Sequence, residues 1–183
     1  MSVPMMRLSE AAAMLGVPFN GPDTEVLRVS TDSRSLQPGD LFIALRGEKY
    51  DGGAFAAQAL RQGAAGVVLD AGQAPDITAA IRVDDTRLAL GRLAAAWRAR
   101  FLLPVVAITG SNGKTTVKEM LAAILRAEAG SDAAVLSTEG NLNNDIGLPL
   151  MLLRLRAQHQ FAVLEMGMNH VGEIDFLTRL AGL

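Results

Sequence analysis

The sequence contains no cysteine and few residues of the other types that bind transition metals. Without cysteine, the chain can form no disulfide, no thiolate metal site and no cysteine nucleophile. Its two histidines, His159 and His170, argue against a histidine-rich metal centre. We therefore expect any bound metal to be a hard cation that is held by oxygen ligands.

Strong charge and long apolar runs are also missing. The formal net charge is −2, and no basic cluster offers the electrostatic surface that nucleic acids or anionic lipids require. The longest uncharged apolar run, Phe101 to Ile108, is far too short to span a bilayer. The N-terminus carries Glu10 where a secretory signal would have its apolar core. These features predict a soluble, cytoplasmic protein with no nucleic-acid partner and no membrane insertion.

The sequence does contain an alternation of short apolar runs with segments of helical spacing. The strand-like runs lie at residues 41–45, 64–70, 80–85, 105–109 and 161–167. Helical patterns lie between several of these runs, for example at 86–101. Strands that alternate with helices predict an α/β fold with a mostly parallel, doubly wound sheet. We expect a change of domain near residue 85, which divides the chain into domains 1–84 and 85–183.

Two of the predicted helices have clear apolar positions. In the helix at 86–101 they include Leu88, Leu90, Leu93 and Trp97. In the helix after residue 113, the apolar residues repeat at i, i+3, i+4, i+7, i+8, which is helical spacing; they are Val117, Met120, Leu121, Ile124 and Leu125. The second domain would have a sheet of only two or three strands, so we expect it to expose an edge and part of its core.

The stretch AITGSNGKTTVKEML, residues 107–121, has the Gly-Lys-Thr ending of a phosphate-binding loop. It follows an apolar run and precedes a helical pattern, which is the context that such a loop requires. Gly110 and Gly113 let the backbone approach phosphate oxygens, and the N–H groups of the helix N-terminus attract the anion. Lys114 can reach the terminal phosphates, and the Thr115 hydroxyl suits Mg²⁺ coordination.

The predicted nucleotide-binding residues are Gly110, Ser111, Asn112, Gly113, Lys114, Thr115 and Thr116. A full G-x-x-x-x-G-K-[ST] pattern would place glycine where this chain has Ile108, so the loop is shorter than that pattern. The alternative is a helix cap with a surface lysine. Strand, two glycines, Lys-Thr and helix agree with each other, and together they favour nucleotide binding.

A phosphate-binding loop needs an acid that helps to hold magnesium. Glu165 ends the apolar run FAVLE, which predicts that it stands at the carboxyl edge of the sheet, where ligands gather. A solvated glutamate at a strand end is the alternative. The apolar run before it and the small Gly167 after it favour the interpretation of Glu165 as a metal ligand.

Three polar stretches are further candidates for ligand contacts: GNLNNDIGLPL at 140–150, MNHVGEI at 168–174 and TDSR at 31–34. Asparagine side chains can both donate and accept hydrogen bonds, but they also cap helices and form turns. His170 could be a ligand or base, although a single histidine is more often a structural hydrogen-bonding residue. The hydroxyls and guanidinium of TDSR could hold a diphosphate or a uracil ring, and a simple turn is an equal alternative.

Taken in order, these stretches resemble the ATP-dependent Mur ligases, which build the peptide of peptidoglycan. The motifs that carry the resemblance are TDSRSLQPGDLFIALRGEKYDGGAF, DDTRLALGRLAAAWR, ITGSNGKTTVKEM, NLNNDIGLPLMLLRL and VLEMGMNHVGEI. Together, the last two of these motifs indicate the branch that joins D-alanyl-D-alanine to UDP-N-acetylmuramoyl-tripeptide, rather than the branch that adds diaminopimelate or lysine. Mur ligases also carry a short loop without the earlier glycine, as this chain does.

The resemblance implies a small N-terminal α/β UDP-substrate domain followed by the first part of a P-loop ATPase domain with a doubly wound sheet. It implies ATP and Mg²⁺ as cofactors, an acyl phosphate intermediate, catalytic roles for Lys114 and Glu165, and metal ligation by Thr115 and Glu165. The substrate-binding residues that it implies are Ser33, Arg34 and Gly47 for the UDP part, and Asn143, Asn144, Asn169 and His170 for the junction of ATP and muramoyl peptide.

Two features depart from the family pattern. Relatives often have a polar set such as Gly-His-Asp-Phe where this chain has Gly-Gly-Ala-Phe at 52–55, so the resemblance does not support a direct polar contact from this loop to the nucleotide. Family members also continue with the rest of the ATPase domain and a third domain, so we expect the 183 residues alone not to complete ligation. The alternatives are another Mur-type or folylpolyglutamate-type ligase, and a non-catalytic UDP-peptide or nucleotide binding module.

Overall fold

The computed structural model describes residues 3–47, 51–74 and 76–183. It divides into two compact units, Met1–Leu93 and Ala94–Leu183. The elements of the first unit are β1 (Met6–Arg7), α1 (Leu8–Leu15), β2 (Glu25–Val26), β3 (Arg28–Ser30), β4 (Asp40–Ile43), a 3₁₀ turn (Gly52–Phe55), α2 (Ala56–Arg61), β5 (Gly66–Asp70) and β6 (Ala80–Val83). The division between the units falls inside α3 (Thr86–Arg98).

The first unit is built on a parallel sheet in which the described strands have the order β3-β4-β5-β6. β4 is buried along its whole length, as its continuous apolar run predicts. Its first residue, Asp40, is 1% exposed and accepts hydrogen bonds from Arg28 at 3.0 and 2.6 Å. Asp40 also accepts a hydrogen bond from the Gln37 N–H at 2.9 Å. The bidentate pair of Arg28 and Asp40 therefore joins β3 to β4. The hydrogen bond from Gln37 holds the end of the 31–39 connection at the start of β4.

The second unit contains, besides the end of α3, the elements β7 (Val105–Ile108), α4 (Lys114–Ala129), a 3₁₀ turn (Asp132–Ala134), β8 (Val135–Ser137), α5 (Gly147–Leu152), β9 (Phe161–Glu165) and α6 (Glu173–Ala181). Its described strands are parallel and have the order β7-β9-β8, so the last strand lies between the first two. The prediction of an α/β fold with parallel sheets is confirmed.

Only part of the apolar stripe of α4 is buried. Val117, Met120 and Ile124 are 52–64% exposed, whereas Leu121 and Leu125 pack against a core cluster of Ala122, Val135 and Val163. The side of α4 that faces the sheet carries Lys118 and Ala122, about a third of a turn from the centre of the stripe. The spacing predicts the helix correctly, but the sheet determines which side of the helix is buried.

Apolar side chains on two other elements are exposed as well. In α3, Leu90, Leu93 and Trp97 are buried as predicted, but Leu88 is 51% exposed. β7 forms one edge of the described sheet, and Val106 in it is 40% exposed. Within the described part of the chain, no helix is both long and apolar enough to cross a bilayer.

Candidate nucleotide-binding and metal site

The loop between β7 and α4 has the backbone geometry that its glycines predict. Gly110 has φ 151° and Gly113 has φ 75°, which are conformations that residues with a Cβ rarely adopt. Gly113 is the N-cap of α4, and the helix begins at Lys114. The loop thus delivers the chain into the N-terminus of a 16-residue helix, where unpaired N–H groups and the helix dipole favour an anion.

Lys114 spans this loop. Its ammonium group donates to the carbonyl oxygen of Gly110 at 2.8 Å, so the side chain folds back over the loop. The residue is half-buried, and its ammonium group is held at the Gly110 carbonyl of the loop. A cation at this position can balance the charge of phosphate oxygens held by the loop.

Glu165 lies beside the start of α4 because the strands are in register. Ile108 of β7 pairs with Glu165 of β9, so the loop and the carboxylate leave the same edge of the sheet. The Thr115 hydroxyl donates to Oε2 of Glu165 at 2.9 Å. Glu165 is only 3% exposed, so it is not the solvated strand-end glutamate of the alternative interpretation.

Asn143 completes this cluster from the asparagine-rich stretch. Its side-chain Nδ2 donates to Oε1 of Glu165 at 2.8 Å, and its backbone carbonyl oxygen accepts from the Gly167 N–H at 2.8 Å. A Cβ on Gly167 would lie 3.2 Å from Cγ of Asn143, so glycine allows this close approach. The structure therefore brings together three predicted site residues, Thr115, Asn143 and Glu165.

The donor set of this cluster fits Mg²⁺. Thr115 and Glu165 offer hard oxygen ligands on neighbouring elements, and the two side chains that hydrogen-bond to Glu165 are both neutral. Among the described residues, no group of three or more His, Cys, Asp or Glu could form an all-protein metal cage. Mg²⁺ is usually held by one or two carboxylates together with phosphate oxygens and water, so a cage is not required.

The other residues predicted for this region have local hydrogen bonds. Oδ1 of Asn144 accepts from the N–H groups of Ile146 and Gly147 at 3.2 and 2.8 Å, so it caps the start of α5. The backbone N–H groups of Asn169 and His170 donate to Glu173 at 2.6 and 3.2 Å. Both side chains are exposed in the loop after β9.

The first unit has a separate cavity at the polar turn TDSR. The cavity has a volume of about 590 Å³ and is lined by Thr31, Asp32, Ser33, Arg34, Phe42, Leu45, Gly52 and Phe55. Ser33 and Arg34 thus line this cavity, and Phe55, which also lines it, is 41% exposed. Gly47 is exposed between β4 and the 3₁₀ turn, and its neighbours at 48–50 lie outside the described residues.

Arg34 forms an ion pair within the turn itself. Its Nε and Nη2 donate to the two carboxylate oxygens of Asp32 at 2.9 and 2.8 Å. These hydrogen bonds, together with the one from the Arg34 N–H, lower the pKa of Asp32 to about 2. Both residues are exposed enough for water to screen the pair. The guanidinium of Arg34 therefore lies at the cavity in a bidentate pair with Asp32. A ligand phosphate could compete with the Asp32 carboxylate for this guanidinium.

Sequence reasoning missed two buried polar residues next to the cluster. Lys118 is 2% exposed and donates to the carbonyl oxygen of Thr138 at 2.6 Å. The Thr138 hydroxyl accepts from the Glu165 N–H at 2.8 Å. The only signal for Lys118 was its position four residues after Lys114, on the same side of a helix.

A strand, a glycine loop and a helix that begins with Lys-Thr, with a buried acid on the adjacent parallel strand, define a phosphate-loop α/β protein. Two family models match this chain. The model described as Mur ligase family, catalytic domain, matches residues 25–98, and the model described as Mur ligase middle domain matches residues 108–182. The chain belongs to the Mur ligase family.

Individual relatives and solved structures agree with this assignment. The UDP-N-acetylmuramoyl-tripeptide–D-alanyl-D-alanine ligase of Haemophilus influenzae is 45% identical, over 96% of this chain and 39% of that relative. The corresponding ligase structure from Acinetobacter baumannii matches with a TM-score of 0.84 and 42% identity, over 99% of this chain and 41% of that one. The MurF ligase from Thermotoga maritima in complex with ADP matches with a TM-score of 0.74 and 33% identity, over 84% of this chain and 35% of that one. The chain thus spans about two fifths of the length of these relatives.

Proposed function

We propose that this chain provides the UDP-substrate domain (1–84) and part of the ATP-binding domain (85–183) of a cytoplasmic ligase of peptidoglycan synthesis. The ligase would join D-alanyl-D-alanine to UDP-N-acetylmuramoyl-tripeptide at the expense of ATP. The observation that carries the proposal is the contact of Thr115 and Asn143 with the buried Glu165 at the mouth of a phosphate-binding loop. The relatives that bear this activity in their names support the choice of substrates.

The reaction needs an activated carboxylate, because an amine does not displace oxide from a free carboxylate. A terminal carboxylate oxygen of the tripeptide attacks the γ-phosphorus of ATP, which forms an acyl phosphate and releases ADP. The amine of D-alanyl-D-alanine then attacks the acyl carbon, so that a C–N bond forms, the C–O bond to phosphate breaks and inorganic phosphate leaves. The amine loses a proton to solvent or a base in this step.

The residues of the loop would position the phosphates and balance their charge. Lys114, which covers the loop, would exchange its contact with the Gly110 carbonyl for phosphate oxygens. The N–H groups of the remaining loop residues, from Gly110 to Thr116, would hold the rest of the phosphate chain. Thr115 and Glu165 would hold Mg²⁺, which when bound supplies further charge for the transferred phosphoryl group.

The two substrate-binding regions would have different tasks. Ser33 and Arg34, with Gly47 nearby in the chain, would hold the UDP part at the cavity of the first unit. Asn143, Asn144, Asn169 and His170 would line the junction of the ATP and muramoyl-peptide sites. Asn143 supports this role most directly, because it already contacts Glu165.

Isothermal titration calorimetry of the 183-residue chain tests the proposal without requiring turnover. We expect Mg²⁺-dependent binding of ADP and separate binding of UDP-N-acetylmuramoyl-tripeptide. Absence of both would contradict the proposal. In a full-length ligase that carries this sequence, phosphate release that depends on D-alanyl-D-alanine, and not on diaminopimelate, lysine or glutamate, would separate it from related amide ligases.

A further inference from the structure

Lys118 is a buried charge that the proposed function leaves without a task. It lies on α4, one helical turn after Lys114, and is 2% exposed. Burial of an ammonium group is costly unless it is paired and hydrogen-bonded, and a methionine would fill the same space without that cost. The contacts that Lys118 makes should therefore indicate what the charge is for.

The ammonium group of Lys118 has two described partners. It donates to the carbonyl oxygen of Thr138 at 2.6 Å, and it lies 2.8 Å from Oε1 of Glu119. Its hydrogen bond and positive charge lower the pKa of Glu119, whose side chain is 57% exposed. The inner contact, at Thr138, is shielded from water and thus the stronger constraint.

Thr138 is held on three sides at the end of β8. It is 1% exposed, its N–H donates to the carbonyl oxygen of Val163 at 3.0 Å, and its carbonyl oxygen accepts from Lys118. Its hydroxyl oxygen accepts from the N–H of Glu165 at 2.8 Å. The position of the Glu165 backbone therefore depends on a threonine that Lys118 anchors.

These contacts form a closed ring. The Glu165 carboxylate accepts from Thr115 at 2.9 Å, and Thr115 lies three residues before Lys118, on the same side of α4. The ring runs from α4 through Lys118 to Thr138, from Thr138 to Glu165, and from Glu165 back to Thr115. It joins the helix N-terminus to the ends of two strands, so a shift of one member would move the others.

We propose that Lys118 and Thr138 are positioning residues that hold the Glu165 carboxylate against Thr115. The inference rests on the proposed function only in that the ligand held there is Mg²⁺ with a nucleotide. Mg²⁺ accepts little variation in the positions of its ligands, which form an octahedron at distances of about 2.0–2.1 Å. A carboxylate that is fixed in place is therefore an advantage. Lys118 acts through the protein and does not touch the nucleotide.

Four variants test the ring: K118M, T138V, T138S and the control T178V. K118M removes the charge at similar length, and T138V removes the hydroxyl at similar shape, whereas T138S keeps the hydroxyl. Thr178 donates to the Ile174 carbonyl within α6, so T178V removes a hydroxyl elsewhere in the same unit. The rate of hydrogen exchange at the Glu165 N–H, measured by NMR, shows whether the ring is intact, and the measurement needs no ligand.

We expect K118M and T138V to speed the exchange of the Glu165 N–H about tenfold. We also expect them to raise several-fold the Mg²⁺ concentration that gives half of the maximal ADP affinity in calorimetry. T138S and T178V should behave like the wild type in both measurements. If K118M fails to fold, the T138V and T138S pair still decides the matter.

The proposal is overturned if K118M and T138V match T178V in both measurements. It is also overturned if exchange rises equally at all β9 amides in step with a fall in the urea midpoint, because that result describes general loosening. If the wild type shows no Mg²⁺-dependent ADP binding, the proposed function fails. The exchange of the Glu165 N–H would then still show whether Lys118 and Thr138 fix its position.

Discussion

The candidate sites of the two units differ in how their charged side chains are held. In the first unit, Arg34 pairs with Asp32 only two residues away, and both are exposed on one turn. In the second unit, Glu165 is buried and held by Thr115 and Asn143, which are 50 and 22 residues away in the chain. The difference suits the proposed tasks, because binding a substrate tolerates a local, solvated contact, whereas phosphoryl transfer requires groups that are fixed in advance.

Replacement of Lys114 by methionine gives the largest expected effect in this comparison. A hydrogen bond to a charged group contributes about 1.5–3 kcal/mol, so the Kd for Mg²⁺–ADP should rise about tenfold or more. Calorimetry of the chain measures this change, and R179M removes an exposed cation of α6 as the matched control. Binding of UDP-N-acetylmuramoyl-tripeptide should not change. An unaltered ADP affinity in K114M would show that the loop is an ordinary helix cap.

The E165Q variant should change the dependence of ADP binding on Mg²⁺ more than it changes the ADP affinity measured without Mg²⁺. Glutamine keeps the shape but removes the charge that would hold Mg²⁺, so the gain in ADP affinity on adding Mg²⁺ should shrink several-fold. Without Mg²⁺, the variant should bind ADP at least as well as the wild type, because one negative charge near the phosphates is gone. A full Mg²⁺ effect in E165Q would remove Glu165 from the metal site.

The G113A variant tests whether the backbone of the loop is as fixed as its side chains. Gly113 has φ 75°, and no atom lies within 4 Å of the point that a Cβ would occupy, so alanine would add strain without a clash. We expect a loss of about 1 kcal/mol in unfolding free energy by urea denaturation, together with weaker ADP binding. Gly130, with φ 67° and equally open space at the far end of α4, supplies the control G130A. G130A should lose similar stability but keep ADP affinity; equal ADP affinity in both variants would contradict this expectation.

The R34M variant should have the smallest effect, because the ion pair that it removes, Arg34 with Asp32, is exposed. The pKa of Asp32 should rise from about 2 towards the ordinary 3.8, as an NMR titration of its carboxyl group would show. Since the folded-state pKa lies below 3.8, the pair favours the folded state above that pH, and this contribution disappears as the pH falls to about 2. We expect UDP-substrate affinity to fall a few-fold and ADP affinity to stay the same. An Asp32 pKa that stays near 2 would show that another group holds it.

Local sequence patterns predict much of the nucleotide-binding and metal site in the second unit. The glycines, Lys114 and Thr115 stand in a fixed order between an apolar run and a helical pattern, and this order alone specifies a loop that enters a helix N-terminus. Glu165 ends an apolar run, so its place at the carboxyl edge of the sheet follows from the strand itself. Each of these features depends on residues that are close together in the chain.

The rest of the site depends on which strand lies beside which. The order β7-β9-β8 puts Glu165 next to the loop and puts Thr138 within reach of the Glu165 N–H. No spacing in the sequence encodes that neighbourhood. The asparagine-rich stretch shows the same limit, since Asn143 contacts Glu165 while Asn144 caps a helix, although the two residues are adjacent.

The alternation of strands and helices, the shape of the loop and the chemistry of its lysine, threonine and glutamate all follow from local periodicity and residue type, so the chain specifies them before it folds. The burial of Lys118 and the exposure of Met120 on α4 arise only on folding, because the side of a helix that is covered depends on the sheet it packs against. The ring of Lys118, Thr138, Glu165 and Thr115 likewise arises only on folding, since hydrogen bonds across strands require the strands to be paired first.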